Sequence, residues 1–180
     1  MTPEEVLDFW FAGDPATHRE EWFEKSVDFD ASCARFAEAL CDAKRGDFDH
    51  WAATPRGALA LIVLLDQFSR NLHRNSPEAF AADAKARKIA RATIAGNFDL
   101  ALGPVERMFI YLPFEHSEDL ADQDTAVRLF ALLGEEMVRY AEDHRAVIRR
   151  FGRFPHRNLA LGRTSTREEL EYLAQPDAGF

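Results

Sequence analysis

Apolar positions recur along this chain at helical spacing. Phe29, Cys33, Phe36, Ala37, Leu40 and Cys41 form an i, i+3, i+4, i+7 stripe, and Val127, Phe130, Ala131, Leu133, Met137 and Val138 form another. No segment alternates apolar and polar positions with β-branched residues over a sustained length, so strands are not needed. Helix starts are marked by a side-chain acceptor followed by proline, whose missing N–H does no harm there: Thr2-Pro3, Thr54-Pro55 and Ser76-Pro77. Thr2 with Glu5, and Thr166 with Glu169, have capping-box spacing, while Gly46 and Gly96 stand as helix stops. The pattern predicts helices near 3–11, 18–25, 31–45, 55–72, 77–95, 104–115, 118–150 and 167–174. The expected fold is all-α, antiparallel helix pairs in an array or bundle of about eight helices, as a single domain over residues 1–180.

A weak internal echo supports helix pairs. Gly46-Asp47-Phe48-Asp49, then Thr54-Pro55 and an apolar helix, is answered by Gly96-Asn97-Phe98-Asp99, then Gly103-Pro104 and an apolar helix. A third Gly-x-Phe stands at Gly152-Arg153-Phe154. The shift of about fifty residues exceeds a tetratricopeptide unit and lies near HEAT-like lengths. Two readings stay open: a divergent repeat with a concave binding face, or a generic helix stop with an aromatic anchor.

Composition adds bounds. With 180 residues, 47% of them hydrophobic and 29% charged, the chain is long and apolar enough for one core. Met1-Thr2-Pro3-Glu4-Glu5 lacks the basic and apolar regions of a signal peptide, so a cytoplasmic location is expected. The apolar run Ala58–Leu65 is closed by Asp66, far short of the ~20 residues that span a bilayer, so no membrane segment is expected. Cys33 and Cys41, ~12 Å apart along one expected helix, read as two buried apolar residues.

The net charge of −9 argues against nucleic acid as a partner. The charge is uneven, however. Residues 1–53 carry thirteen acids against five bases, whereas residues 139–167 carry eight arginines against Glu142 and Asp143, which leaves a local anion site open.

Four clusters set polar groups against apolar neighbours. In Leu65-Asp66-Gln67-Phe68-Ser69-Arg70-Asn71-Leu72, Asp66 and Arg70 stand i, i+4 and can pair. Glu106-Arg107 precedes Tyr111 and then Pro113-Phe114-Glu115-His116-Ser117, where Pro113 kinks or ends a helix and Ser117 can cap the next. His144-Arg145 and Phe154-Pro155-His156-Arg157-Asn158 complete the set. A shift of forty-nine aligns Asp66 with Glu115 and Gln67 with His116, so both acids could face one cleft. Each cluster has a structural reading, an ion pair or a helix cap, beside the functional one.

Asp66, Glu115 and His116 are the candidates for acid–base work, and Arg70, Asn71, Arg107, His144, His156, Arg157 and Asn158 for holding a ligand. No metal site is expected, since no His-x-x-x-His or Glu-x-x-His spacing sets ligands on one helical face, and no cofactor fingerprint is present.

At these residues the chain resembles the bacterial domain of unknown function 924 family. The resemblance runs through Val6-Leu7-Asp8-Phe9-Trp10-Phe11, Leu65–Asn71, Tyr111–Asp119 and Arg150–Asn158, nearly the whole chain. It implies a tetratricopeptide-like helical fold and no assigned reaction. Many relatives have Pro where this chain has Ser69, so the turn after Phe68 is expected to differ slightly. Two functions are weighed: a monomeric or homodimeric binding domain with a polar cleft for a peptide or small anionic ligand, and a hydrolase-like enzyme using the same cleft by acid–base or metal-assisted chemistry.

Overall fold

A computed structural model describes residues 1–23, 25–176 and 178–179. Its helices are α1 (Pro3–Trp10), α2 (Val27–Cys33), α3 (Ala37–Arg45), α4 (Pro55–Ile62), α5 (Ser69–Leu72), α6 (Asp83–Ala95), α7 (Pro104–Glu115), α8 (Leu120–Phe130), α9 (Glu135–Phe151) and α10 (Arg167–Leu173). A π turn, Val63–Phe68, joins α4 to α5, and no strand occurs among the described residues. The all-α reading holds. None of the described helices is long and apolar enough to cross a membrane.

The local signals act as their chemistry requires. The Thr2 hydroxyl accepts the Glu5 N–H at 3.2 Å and the Glu5 carboxylate accepts the Thr2 N–H at 2.6 Å, closing a capping box. Thr166 and Glu169 repeat it at 3.2 and 2.7 Å, and Thr54 caps α4 by accepting the Gly57 N–H at 3.1 Å. The echo is a repeated backbone conformation. Asp47 N–H donates to Asp42 O at 3.0 Å and Phe98 N–H to Thr93 O at 2.9 Å, the same six-residue closure. A 3-10 turn then opens at Asp49 or Asp99 and leads to a helix begun by Pro55 or Pro104. The left-handed residue is Gly46 in the first copy but Asn97, not Gly96, in the second.

Four expected helices are corrected. The one expected over 31–45 is two, α2 from Val27 and α3 from Ala37, parted by a 3-10 turn. Residues 18–25 form only a 3-10 turn, Glu20–Trp22, because side chains rather than a helical ladder anchor them: the Trp22 indole donates to Trp10 O at 2.9 Å and Arg19 to Trp10 O at 2.7 Å. The helix expected from residue 77 starts at Asp83, after a 3-10 turn at Pro77–Ala79. The helix expected over 118–150 is two, α8 and α9, parted by a turn at residues 131–134 that closes on Gly134, whose φ of 127 suits glycine alone. The stripe from Val127 to Val138 therefore spans a turn, and Ala131 is exposed. Cys41 is also exposed, while Cys33 is buried. The 3-10 turn Ala34–Phe36 between α2 and α3 over-rotates the chain by roughly 60°, which turns Ala39, Leu40 and Ala43 inward and leaves Ala37 and Cys41 outside.

The described residues divide into two compact units, Met1–Arg74 with Glu78–Pro113, and Asn75–Pro77 with Phe114 onward. In the first, Ala58–Leu65 is wholly buried, and α4 packs on α1 and α6. Trp10 stands among Trp22, Phe68 and Phe109 at ring separations of 6.0, 5.2 and 5.5 Å, each such side chain contributing about 1.5–3 kcal/mol by leaving water. In the second unit the short turn at residues 131–134 folds α9 back on α8. Val147, Ile148 and Phe154 form its core, with Phe151 and Tyr172 against them.

Candidate functional site

In the first unit the candidates are held by one another. Asp66, on the π turn and fully buried, accepts from Gln67 at 2.6 Å and lies 3.2 Å from Arg70, the i, i+4 pair the spacing predicts. Arg70 also grips both oxygens of Asp83 at 2.9 and 3.0 Å. Burial works against its charge, yet Asp66 and Asp83 together hold its pKa above the ordinary value. Asn71 donates to Asp30 at 2.8 Å, and Arg74 meets the same carboxylate. Arg107 donates to the Tyr111 hydroxyl at 3.0 Å, which in turn donates to Asp99 at 2.7 Å. Burial and Asp99 raise the Tyr111 pKa, so the phenol keeps its proton.

The second unit brings together Glu115, His116, His144, His156 and Arg157. Gln123, fully buried on α8, donates to Glu115 O and Ser117 O, both at 2.6 Å, and so clamps the backbone on either side of His116. Ser117 donates to Asp122 at 2.8 Å, while Asp119, rather than Ser117, caps α8 by accepting the Ala121 N–H at 2.8 Å. His144 comes from α9. Its ring lies 6.5 Å from that of His116 and 5.8 Å from that of Phe154. His156 lies 5.5 Å from the Phe154 ring, and the Arg157 guanidinium stands 4.5 Å over it. Phe154 is thus the apolar floor on which three polar groups rest.

The segment after α9 is pinned so that this geometry persists. Arg163 holds Glu118 with two bonds of 2.7 and 3.0 Å and donates to Phe154 O at 3.0 Å, while Glu118 accepts the Phe154 N–H at 2.8 Å. Arg153 grips Glu169 at 2.6 and 2.8 Å. Asn158, proposed from the sequence as a ligand group, donates to Ser165 at 3.0 Å and accepts from Arg163 at 2.9 Å, so it braces the loop. Sequence reading missed Gln123, Arg163 and Glu118 as organisers of this region. Arg163 carried a faint signal, a lone guanidinium in an otherwise neutral Gly-Arg-Thr turn.

His144 is neutral. Burial above all, aided by His116, Arg157 and His156, takes its pKa down to about 3, against the upward pull of its bond to Tyr140 O. Nδ1 lies 2.9 Å from Tyr140 O and 3.3 Å from Glu115. Held neutral, the ring donates its Nδ1 proton to the carbonyl, with the carboxylate as a second, longer acceptor, and Nε2 is the basic nitrogen. Among the described residues no three His, Cys, Asp or Glu side chains are placed to hold a metal ion. A groove of about 100 Å³ lies elsewhere, lined by Glu136, Arg139, Tyr140 and Asp143, and is too small for a ligand site of the usual ~300–1,000 Å³.

Fold and site define a class: a helical protein whose second unit sets two imidazoles and a guanidinium against one phenyl ring, with a third imidazole beside the first. The chain belongs to the family described as bacterial protein of unknown function (DUF924), whose pattern matches residues 6–177. It is similar to the solved structure of a protein of unknown function, ATU0120, from Agrobacterium tumefaciens, with 40% identity, 97% of each chain covered and a TM-score of 0.90. No curated protein matches the chain significantly.

Proposed function

We propose that the second unit binds a small anion, a phosphate or carboxylate free or carried by a peptide, with His116, His156 and Arg157 as its donors. The observation that carries this reading is the gathering of His144, His156 and Arg157 on the Phe154 ring at 5.8, 5.5 and 4.5 Å, with the His116 ring 6.5 Å from that of His144. A guanidinium and adjacent imidazoles supply the planar and single donors that phosphate and carboxylate accept. The hydrolase-like alternative uses Asp66, Glu115 and His116 for acid–base work. His144, 3.3 Å from Glu115, has a pKa of about 3 and little driving force to take a proton near neutrality, so it adds no base to that set, and binding is the better-supported use. The proposal includes a cytoplasmic location and a monomer or homodimer.

The test is thermal unfolding of the parent and of His156→Ala, each with and without added inorganic phosphate. A ligand that binds only the folded state raises the midpoint in proportion to the logarithm of its concentration over Kd. The expected result is a parent that responds and a variant that folds about as well but no longer responds. A destabilised variant whose phosphate response equals the parent's overturns the reading.

A further inference from the structure

The surroundings of His116 hold acceptors as well as donors. Gln123, fully buried on α8, donates from its amide nitrogen to Glu115 O and Ser117 O, each at 2.6 Å. Only the nitrogen of an amide can meet two carbonyls, so the orientation is fixed and the other atom is an oxygen. That Oε1, on an amide clamped to the backbone on either side of His116, is shut off from water and accepts no hydrogen bond among the described residues. A buried acceptor without a donor costs stability until something supplies one.

His144 is a second acceptor by a different argument. Tyr140 O, 2.9 Å from Nδ1, is a carbonyl and can only accept, so Nδ1 holds the ring's proton. Glu115, 3.3 Å from the same nitrogen, favours the same tautomer. Nε2 is then the acceptor of a neutral ring, and the charged groups that act on this ring are His116, His156 and Arg157, the proposed donors of the anion site.

Phosphate, sulfate and carboxylate all accept from imidazoles and a guanidinium. They differ in what they can donate. Near neutral pH inorganic phosphate keeps a proton, and a phosphate monoester, with its second pKa of about 6, keeps one in part, whereas sulfate and a carboxylate have none. From Gln123 Oε1 and His144 Nε2 we infer that the site selects a proton-bearing phosphate, whose hydroxyl donates to this pair of acceptors, over sulfate or a carboxylate. The inference rests on the anion-binding reading of His116, His156 and Arg157 and narrows its ligand. A site built to receive a hydrogen bond rejects the analogue that cannot give it, because the acceptor is left facing an oxygen.

The test is thermal unfolding of the full chain near neutral pH with inorganic phosphate, O-phosphoserine, sulfate or acetate, in parallel with His156→Ala. Excluded salts stabilise any fold, so the shift counted is the part that His156→Ala lacks. The Kd for inorganic phosphate, O-phosphoserine or both should be at least about tenfold below those for sulfate and acetate. A response to inorganic phosphate alone supports the inference with free phosphate as ligand, and one to O-phosphoserine supports it with a monoester. Equal responses to phosphate and sulfate overturn the inference and leave the anion site standing. No response beyond that of His156→Ala to any of these anions overturns both. In His144→Gln the amide can turn its N–H groups to sulfate, so the preference for phosphate should fall at least about threefold. An unchanged preference overturns His144 as an acceptor of the site.

Discussion

His144 turns burial into a pH dependence. Its folded pKa of about 3 lies below the ordinary 6.5, so as pH falls through that interval the unfolded chain takes up the proton first and the folded state loses stability. Glu169 acts later. Arg153 holds its carboxylate down to about 2, so its contribution is complete above 4.5 and is lost only as pH falls from there. Between 6.5 and 4.5 the imidazole therefore acts apart from that carboxylate. Urea unfolding across this window should show the parent losing stability faster than His144→Gln, by up to one proton's slope, ~1.4 kcal/mol per pH unit. Equal slopes would mean that His144 titrates as an ordinary exposed histidine. Of the residues around it, the sequence marked His116, His156 and Arg157 by their odd setting. It could not mark Gln123, whose importance lies in two carbonyls it meets eight and six positions back.

At the scale of elements, the π turn Val63–Phe68 continues the buried run of α4 and carries Asp66, Gln67 and Phe68, all buried. Such a local irregularity is often kept where polar groups must be placed. Ser69 follows it with φ −57, an N–H paired to Gln67 O outside the regular ladder, and a buried hydroxyl with no partner among the described residues. Its φ is one that proline adopts, at the first position of α5. Ser69→Pro should change stability by less than about 1 kcal/mol, against ~3 or more for Ala90→Pro in the interior of α6. Urea denaturation compares the two, and equal losses would show that the Ser69 N–H is needed. The break at Gly134 teaches the converse. Apolar spacing ran on through residues 131–134, yet α8 ends at Phe130 and α9 begins after Gly134, whose φ of 127 no helix accepts.

Across the whole chain, the arginine-rich stretch that stands out in the net charge of −9 is largely spent on neighbours. Arg145 pairs with Asp124 at 3.2 Å, Arg150 with Glu168 at 2.9 Å, Arg153 with Glu169 at 2.6 Å, Arg163 with Glu118 at 2.7 Å and Arg167 with Glu171 at 2.8 Å. Most of these carboxylates sit just outside the stretch, so its apparent basic excess is local bookkeeping along the chain rather than a surface field. Fluorescence anisotropy with labelled duplex DNA at physiological salt should show no binding, since too few cations remain to release the counterions of a polyanion. Salt-sensitive binding would mean that these arginines exchange their carboxylates for phosphates.

The sequence by itself determined what is decided within about one helical turn: the helical class, the caps at Thr2, Thr54 and Thr166, the Asp66–Arg70 pair, and the repeated turn after α3 and α6. Such features depend on side-chain acceptors, prolines and charges three to six residues apart, and those separations are set by backbone geometry. Tertiary structure alone decided that Glu115 and His144 meet, that Arg163 reaches Glu118 across forty-five positions, and that Gly179 lies on His156. It also decided that His144 is neutral, because a pKa follows from how much water the surrounding fold removes. Contacts at that range are chosen by the packing of whole helices, and no spacing along the chain encodes them.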